Sequence, residues 1–445
     1  MHFLQKVLIG NRNFLILQRD TNHRKMITKD LLRQVIYEQR ELNEPLGVKR
    51  IIHQEQVTAP EVLVVSGVRR CGKSVLMRQI RAEQAEQDYY LCFDDDRLLH
   101  FEVSDFQTMC DVFAEDFGMQ KTFYLDEVQL IDGWERFVDR LFSHHNKVFV
   151  TGSNAHLLSK ELGTLLTGRH LTQELWPMSL LEYMELRGES WRTGDLYTTS
   201  GKAKLVNLQN DYLKEGGFPQ YLQTRNPRYL KELYNDIIYR DIVVRHKLPS
   251  DRQIREMTYY LASNITHRFT YHSVAKATGI KSSETVQDYL GYLEEAYMVG
   301  VLTKYDYKVG EQLKSPKKIY FVDNALASRI GFSFSDNLGA RLENSVYVEL
   351  RRQERDVYYY HDKKECDFVI KENANIVNAI QVTVSLADAE TRQRELDGLV
   401  AAMDAFGLKE GTVVTLDEAD ELKLADGRSI HVTPYYRWIL ESSLN

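Results

Sequence analysis

The chain has 445 residues, 43% of them hydrophobic and 27% charged, with a formal net charge of −7. That length exceeds what one hydrophobic core serves, so two or three domains are expected, and the ordinary composition excludes a disordered or fibrous protein. The acidic balance excludes a nucleic-acid binder that works by overall charge, leaving only a local patch for such contacts.

In chain order, residues 1–25 come first. Lys6 and Arg12 interrupt what would be the apolar stretch of a secretion signal, and no small-residue cleavage site follows. They read as a non-native or dispensable extension. A helical period begins at Met26 with Ile27, Leu31, Leu32 and Ile36. Within a first domain of residues 26–204, the region from about 40 to 175 alternates short apolar strands with amphipathic segments, at Glu61–Ser66, Tyr89–Phe93, Lys121–Leu125 and Val148–Thr151. Such alternation predicts an α/β parallel sheet with ligand loops at the carboxyl ends of its strands.

Gly67-Val68-Arg69-Arg70-Cys71-Gly72-Lys73-Ser74 stands directly after the first strand and before a helix predicted from Lys73 to about Glu86. It matches G-x-x-x-x-G-K-[ST], the P-loop or Walker A pattern. The glycines let backbone amides turn inward at a helix N-terminus, which makes an anion cradle. Gly67, Arg70, Cys71, Gly72, Lys73, Ser74 and Val75 are therefore the expected nucleotide contacts. Lys73 is expected to reach the β- and γ-phosphates and Ser74 to ligate Mg²⁺. The strand Lys121–Leu125 runs into Asp126 and Glu127. Asp126 is expected to hold Mg²⁺, and Glu127 to orient the attacking water. A glutamate directly after the magnesium aspartate points to the additional-strand class of ATPases. The guanine-reading Asn-Lys-x-Asp is missing, since Asn146-Lys147 runs on to Val148-Phe149; ATP is favoured over GTP.

The strand at Val148 ends in Gly152-Ser153-Asn154, where Ser153 or Asn154 could sense the γ-phosphate or merely cap a helix. Arg169 follows and could stabilise the transferring phosphoryl group, in its own chain or a neighbour's, or form a structural ion pair. Residues 205–335 turn helical, with helices at Ile254–Ile265, Ser273–Thr278 and Thr285–Met298 and a hairpin of Val301–Tyr307 with Lys318–Val322, the order of a winged helix. Residues 336–445 are mixed α/β, with strands at Val357–Tyr360, Asp367–Ile370, Ala379–Val384 and Thr412–Thr415. With no Gly/Ser linker, the parts are expected to pack closely. Cys71, Cys92, Cys110 and Cys366 form no Cys-x-x-Cys pair, which favours a reduced, cytoplasmic protein, and no apolar run of about 18 residues is present to span a membrane.

These features resemble bacterial and archaeal AAA-type ATP-binding proteins whose C-terminal portion is a domain of unknown function. The resemblance rests on the phosphate loop, Leu125-Asp-Glu-Val-Gln, Gly133-Trp-Glu-Arg, Thr151-Gly-Ser-Asn, Thr167-Gly-Arg and Trp176-Pro-Met-Ser. It continues through Gly216-Gly-Phe-Pro, Tyr239-Arg-Asp-Ile, Tyr320-Phe-Val-Asp-Asn, Glu343-Asn and Glu365-Cys-Asp-Phe, spanning about residues 28–400. It implies an ATPase core, a winged-helix middle and a restriction-endonuclease-like tail. It also implies that Gly216–Pro219 links core to winged helix, as in switch-type ATPases.

Two accessory activities bear on this expectation. Residues 251–320 carry ten Lys/Arg and eight Asp/Glu, little for a phosphate-tracking surface, although Lys281, Ser282, Ser283 and Gln287 could face a groove. In the tail, Glu343, Asp367 and the strand Ile380–Thr383 resemble a nuclease layout in which Gln381 replaces an acid and Thr383 a lysine. Lys363 or Lys364 would have to substitute, so the expectation is a degenerate site. The resulting reading is a slow ATP-hydrolysing switch with ATP and Mg²⁺ as cofactors, a protein partner or self-association, and no membrane contact. The alternative is a DNA-binding regulator, or DNA-associated nuclease, whose ATP is mainly structural or regulatory.

Overall fold

A computed structural model describes residues 27–42, 45–153, 166–332 and 337–442. The 1–25 extension and Asn154 lie outside these residues. The first part is built on a five-stranded sheet, β1 (Val62–Ser66), β2 (Tyr89–Cys92), β3 (Thr122–Asp126), β4 (Lys147–Gly152) and β5 (His170–Glu174). The strands lie in the order β2-β3-β4-β1-β5 and all neighbours are parallel. β1 is buried at every residue, which is why it reads as an unbroken apolar run covered on both faces. β4 stands between the strand of the phosphate loop and the strand of Asp126, as the additional-strand class requires. The helices Lys73–Ala82, Asp105–Phe117 and Trp134–Ser143 cover the sheet. The first of them stops at Ala82, short of the expected Glu86.

A run of helices follows, including Leu180–Leu186, Thr199–Glu215, Pro227–Asp236, Arg252–Ser263, Tyr271–Thr278 and Ser283–Glu295. Between the third and fourth lies an eight-residue π-helical segment, Ile237–Val244. β6 (Arg268–Phe269), β7 (Val299–Leu302) and β8 (Lys317–Phe321) form a small antiparallel sheet in the order β6-β8-β7. The expected hairpin is thus three-stranded, and β7 ends at Leu302 rather than Tyr307. The chain beyond Leu302 leaves β8 because it pairs elsewhere: Tyr305 N donates to Tyr359 O at 2.8 Å and Tyr359 N to Thr303 O at 3.1 Å.

The C-terminal part is a six-stranded mixed sheet of β9 (Asp356–His361), β10 (Glu365–Glu372), β11 (Asn375–Val382), β12 (Glu410–Thr415), β13 (Asp420–Lys423) and β14 (Ser429–Pro434), ordered β13-β14-β12-β11-β10-β9. β9, β10 and β11 form an antiparallel meander. The helix Ala389–Phe406 then returns the chain to β12, parallel to β11. One apolar cluster joins Tyr183, Tyr212 and Leu213 of the earlier helices to Val346, Phe368 and Ile380 of this part. The parts are therefore packed together. Among the described residues no helix is long and apolar enough to cross a membrane.

Candidate functional site

The phosphate loop leaves the carboxyl end of β1 with Gly67 at φ +146°, Arg70 at +66° and Gly72 at +107°, a backbone path open to glycine at its two ends. A Cβ on Gly67 would stand 2.2 Å from the Leu175 carbonyl oxygen. Lys73 opens the next helix, and its ammonium arches back to donate to Gly67 O at 3.1 Å and Val68 O at 3.2 Å. Asp126, 1% exposed at the end of β3, is hydrogen-bonded by the Ser74 and Thr151 hydroxyls. Burial, then the neighbouring Glu127 charge, raise its pKa, while those hydroxyls and Lys73 pull the other way. A carboxylate and a hydroxyl on adjoining strand and helix ends form a hard oxygen pair. Such a pair suits Mg²⁺, which takes its remaining ligands from phosphates and water.

Glu127 adopts a left-handed backbone, φ +54°, so its side chain departs from that of Asp126. Its amide donates to Thr151 Oγ1 at 2.9 Å, and Gln129 Nε2 donates to its Oε2 at 2.5 Å. Gln129 is not legible as a site residue in the sequence; two positions beyond Glu127, it fixes that carboxylate. Arg70, Gly72, Lys73, Ser74 and Val75 line a cavity of about 1110 Å³ together with Asp126, Glu127 and Ser153. Cys71 is fully buried behind this surface, its thiol pushed up by burial, which fits a packing role.

Of the alternatives open for Arg169, its own chain shows the ion pair. It immediately precedes β5, whose first residue, His170, is in register with Val62, the first residue of β1. The phosphate loop leaves the opposite end of β1, so strand length alone separates the two by roughly 15 Å. Its guanidinium pairs with Asp139 at 2.5 Å and lies over the Phe142 ring. In its own chain Arg169 is a structural ion pair.

The acids of the C-terminal part also meet an unexpected partner. Lys318 of β8, with 3% of its side chain exposed, sends its ammonium to Glu343, Glu365 and Asp367 at 3.1, 2.9 and 2.8 Å. Burial opposes that charge, but Asp367 and Glu343 outweigh it and hold the lysine well above its ordinary range. Gln381 Nε2 donates to Asp367 Oδ2 at 2.9 Å and to Glu395 Oε2 at 2.6 Å. A lysine does meet these acids, but it comes from a different sheet rather than from Lys363 or Lys364, and Lys364 pairs with Asp397.

The AAA domain family matches residues 59–184, and two families each described as a domain of unknown function match residues 206–337 and 338–438. An uncharacterized protein of Methanocaldococcus jannaschii, MJ1544, is 30% identical over 439 residues, covering 93% of this chain and 96% of its own. The chain belongs to this family of AAA-domain proteins. An uncharacterized Haemophilus influenzae protein is 29% identical over 366 residues, 78% of this chain and 87% of that one. Among solved structures the chain is similar to Cdc6p of Pyrobaculum aerophilum, at 12% identity and TM-score 0.23 over 64% of this chain and 96% of that one. It is likewise similar to AMPPCP-bound DnaA of Aquifex aeolicus, at 13% and 0.19 over 60% and 91%. Likeness at these scores says nothing further about this chain.

Other marks of the family, Gly216-Gly, Asp323-Asn and Asn344, meet at the junction of the AAA domain with the helical and C-terminal parts. Asp323 Oδ2 accepts from Gly217 N at 2.6 Å, and Gly217 O accepts from Met178 N at 2.7 Å. A Cβ on Gly216 would meet the Asp323 carboxylate at 2.2 Å, and one on Gly217 the Met178 oxygen at 2.3 Å. Asn324 Nδ2 donates to Leu213 O, Arg341 O and Ser345 Oγ, while Asn344 pairs with both backbone groups of Phe321. These contacts satisfy polar groups buried where three segments meet.

Proposed function

We propose that this protein is an ATPase in which the AAA domain binds ATP with Mg²⁺ and hydrolyses it slowly, as a nucleotide-gated switch. The single observation that carries the reading is the convergence of Lys73, Ser74, Asp126 and Glu127 on one cavity, with Ser74 bonded to Asp126 and Glu127 held apart from both. Loop amides and Lys73 would bind the β- and γ-phosphates, and Ser74 and Asp126 would hold Mg²⁺, which neutralises phosphate charge when bound. Glu127, fixed by Gln129, would orient water and accept its proton. Asn154 keeps its expected role as a γ-phosphate sensor within this proposal.

We read the helical part as a winged helix with β7 and β8 as its wing. That wing is engaged by Tyr359 and by the acids around Lys318. Ser282, one of the groove candidates, accepts from Thr285 N as a helix cap. These contacts favour a brace over a DNA reader, and the Lys318 ammonium among the acids favours a nuclease-like tail without nuclease activity. Lys73→Ala is expected to abolish binding of a fluorescent ATP analogue, and Glu127→Gln to preserve binding while losing phosphate release. Equal turnover in wild type and Glu127→Gln would remove Glu127 from the mechanism.

A further inference from the structure

Besides the apolar packing of Val68 and Cys71 against Phe218 and Leu230, a charged pair fastens the phosphate loop to the helical part. Arg69, a variable position of the loop, donates through Nε and Nη2 to the two carboxylate oxygens of Asp241 at 2.9 and 2.8 Å. Asp241 is 3% exposed and lies in the π-helical segment Ile237–Val244. A bidentate arginine–carboxylate pair fixes orientation as well as distance. Extended π-helical geometry is rare and tends to be kept where it aims a functional group.

The residue beside Asp241 is the one so aimed. Arg240 lines the same cavity as Lys73, Ser74, Asp126 and Glu127. Its nearest acid is Asp236, at 3.9 Å, and 63% of its side chain is exposed. Arg70, Arg78 and Arg81 of the AAA domain also line this cavity, whereas Arg69 is committed to Asp241, Arg50 beneath the loop to Glu182, and Arg169 to Asp139 at the far end of the sheet. Arg240 is the one arginine that the helical part contributes among the described residues. An exposed guanidinium lining this cavity has the charge and fork geometry that phosphoryl oxygens take.

We propose that Arg240 is the catalytic arginine that stabilises charge on the transferring phosphoryl group, and that Asp241, clamped on Arg69, is the positioning residue that aims it. The inference rests on the ATPase reading above. In the step itself, water attacks the γ-phosphorus and gives its proton to Glu127. The bond from that phosphorus to the β–γ bridging oxygen breaks, with its electron pair staying on ADP, and inorganic phosphate leaves. Arg240 would meet the equatorial oxygens in that transition state. The helical part would then register whether a γ-phosphate is present, through the same turn that holds the loop.

The test uses the full chain, with steady-state ATP turnover and binding of a fluorescent ATP analogue measured side by side. Arg240→Ala is expected to lower kcat by about 10²–10³-fold while the analogue's Kd moves by less than about threefold. Arg240→Lys, which keeps the charge and loses the fork, should fall between the two. Asp241→Asn should lower kcat as well, and the double variant should be no slower than Arg240→Ala, because one residue acts through the other. Wild-type turnover in Arg240→Ala overturns the proposal, and multiplying effects in the double variant overturn the positioning role. Arg240 is exposed, so its replacement remains decisive even if Asp241→Asn fails to fold. Absence of ATP turnover in the wild type would sink the ATPase reading itself, which separates the two failures.

Discussion

Arg50 lies beneath the phosphate loop with its side chain 3% exposed. It donates to Cys71 O at 2.5 Å, Trp176 O at 2.6 Å and Glu182 Oε1 at 2.8 Å. Glu182 in turn accepts from the backbone amides of Ile51 and Ser179. Removing one member of such a pair strands the other charge in the interior, so Arg50→Ala should cost about 3–5 kcal/mol and weaken nucleotide binding. An unchanged urea midpoint would show the brace to be dispensable. Lys73, Ser74, Asp126 and Glu127 are legible in the sequence because their chemistry is written in contiguous motifs. Arg50 is not, since its partner carboxylate is 132 residues away along the chain. Asp241 and Lys318 are hidden in the same way, and only the fold brings each to its partner. The choice between the alternatives for Arg169 is not legible, because β5, His-Leu-Thr-Gln-Glu, is an edge strand without an apolar run, so nothing reveals which end of the sheet it begins.

At the scale of elements, the strands evident from sequence are those with buried apolar runs, such as β1, β3, β4, β10 and β11. The elements that escape it are β5, the two-residue β6, the polar β13, β14 and the π-helical segment. Length, polarity or a rare period hides them from pattern reading. The glycine pair after helix Thr199–Glu215 is legible as a link, but its lock, Asp323, is not. Burial pushes the Asp323 carboxyl from 3.8 up to about 6, against the pull of the Gly217 and Leu326 amides. A group raised in the folded state contributes stability that is fully present below its unfolded pKa and is lost as pH rises through about 6. Rising from 3.8 to about 6 corresponds to about 3 kcal/mol. Urea midpoints of wild type relative to Asp323→Asn, which cannot titrate, should therefore decline between about pH 4 and pH 7. A constant difference across that window would refute this account.

At the scale of the whole molecule, the AAA domain, the helical part and the C-terminal part are joined by apolar packing and by charges that cross between them. Lys318 is the deepest of these, carried on β8 and neutralising acids on the helix Leu338–Arg352 and on β10. Lys318→Met should leave Glu343 and Asp367 facing one another without that ammonium, while Glu365 keeps Arg268, at a cost of about 3–5 kcal/mol. Unfolding of that variant in urea should begin in the C-terminal part and split from the AAA domain. A single transition at the wild-type midpoint would contradict this. An ammonium that belongs to the chain is a counter-ion at a fixed local concentration. Chelators cannot strip it, dilution does not release it, and supply in the cell does not limit it. Neutralisation of these acids is therefore set by the covalent sequence and by whether one small sheet stays in place.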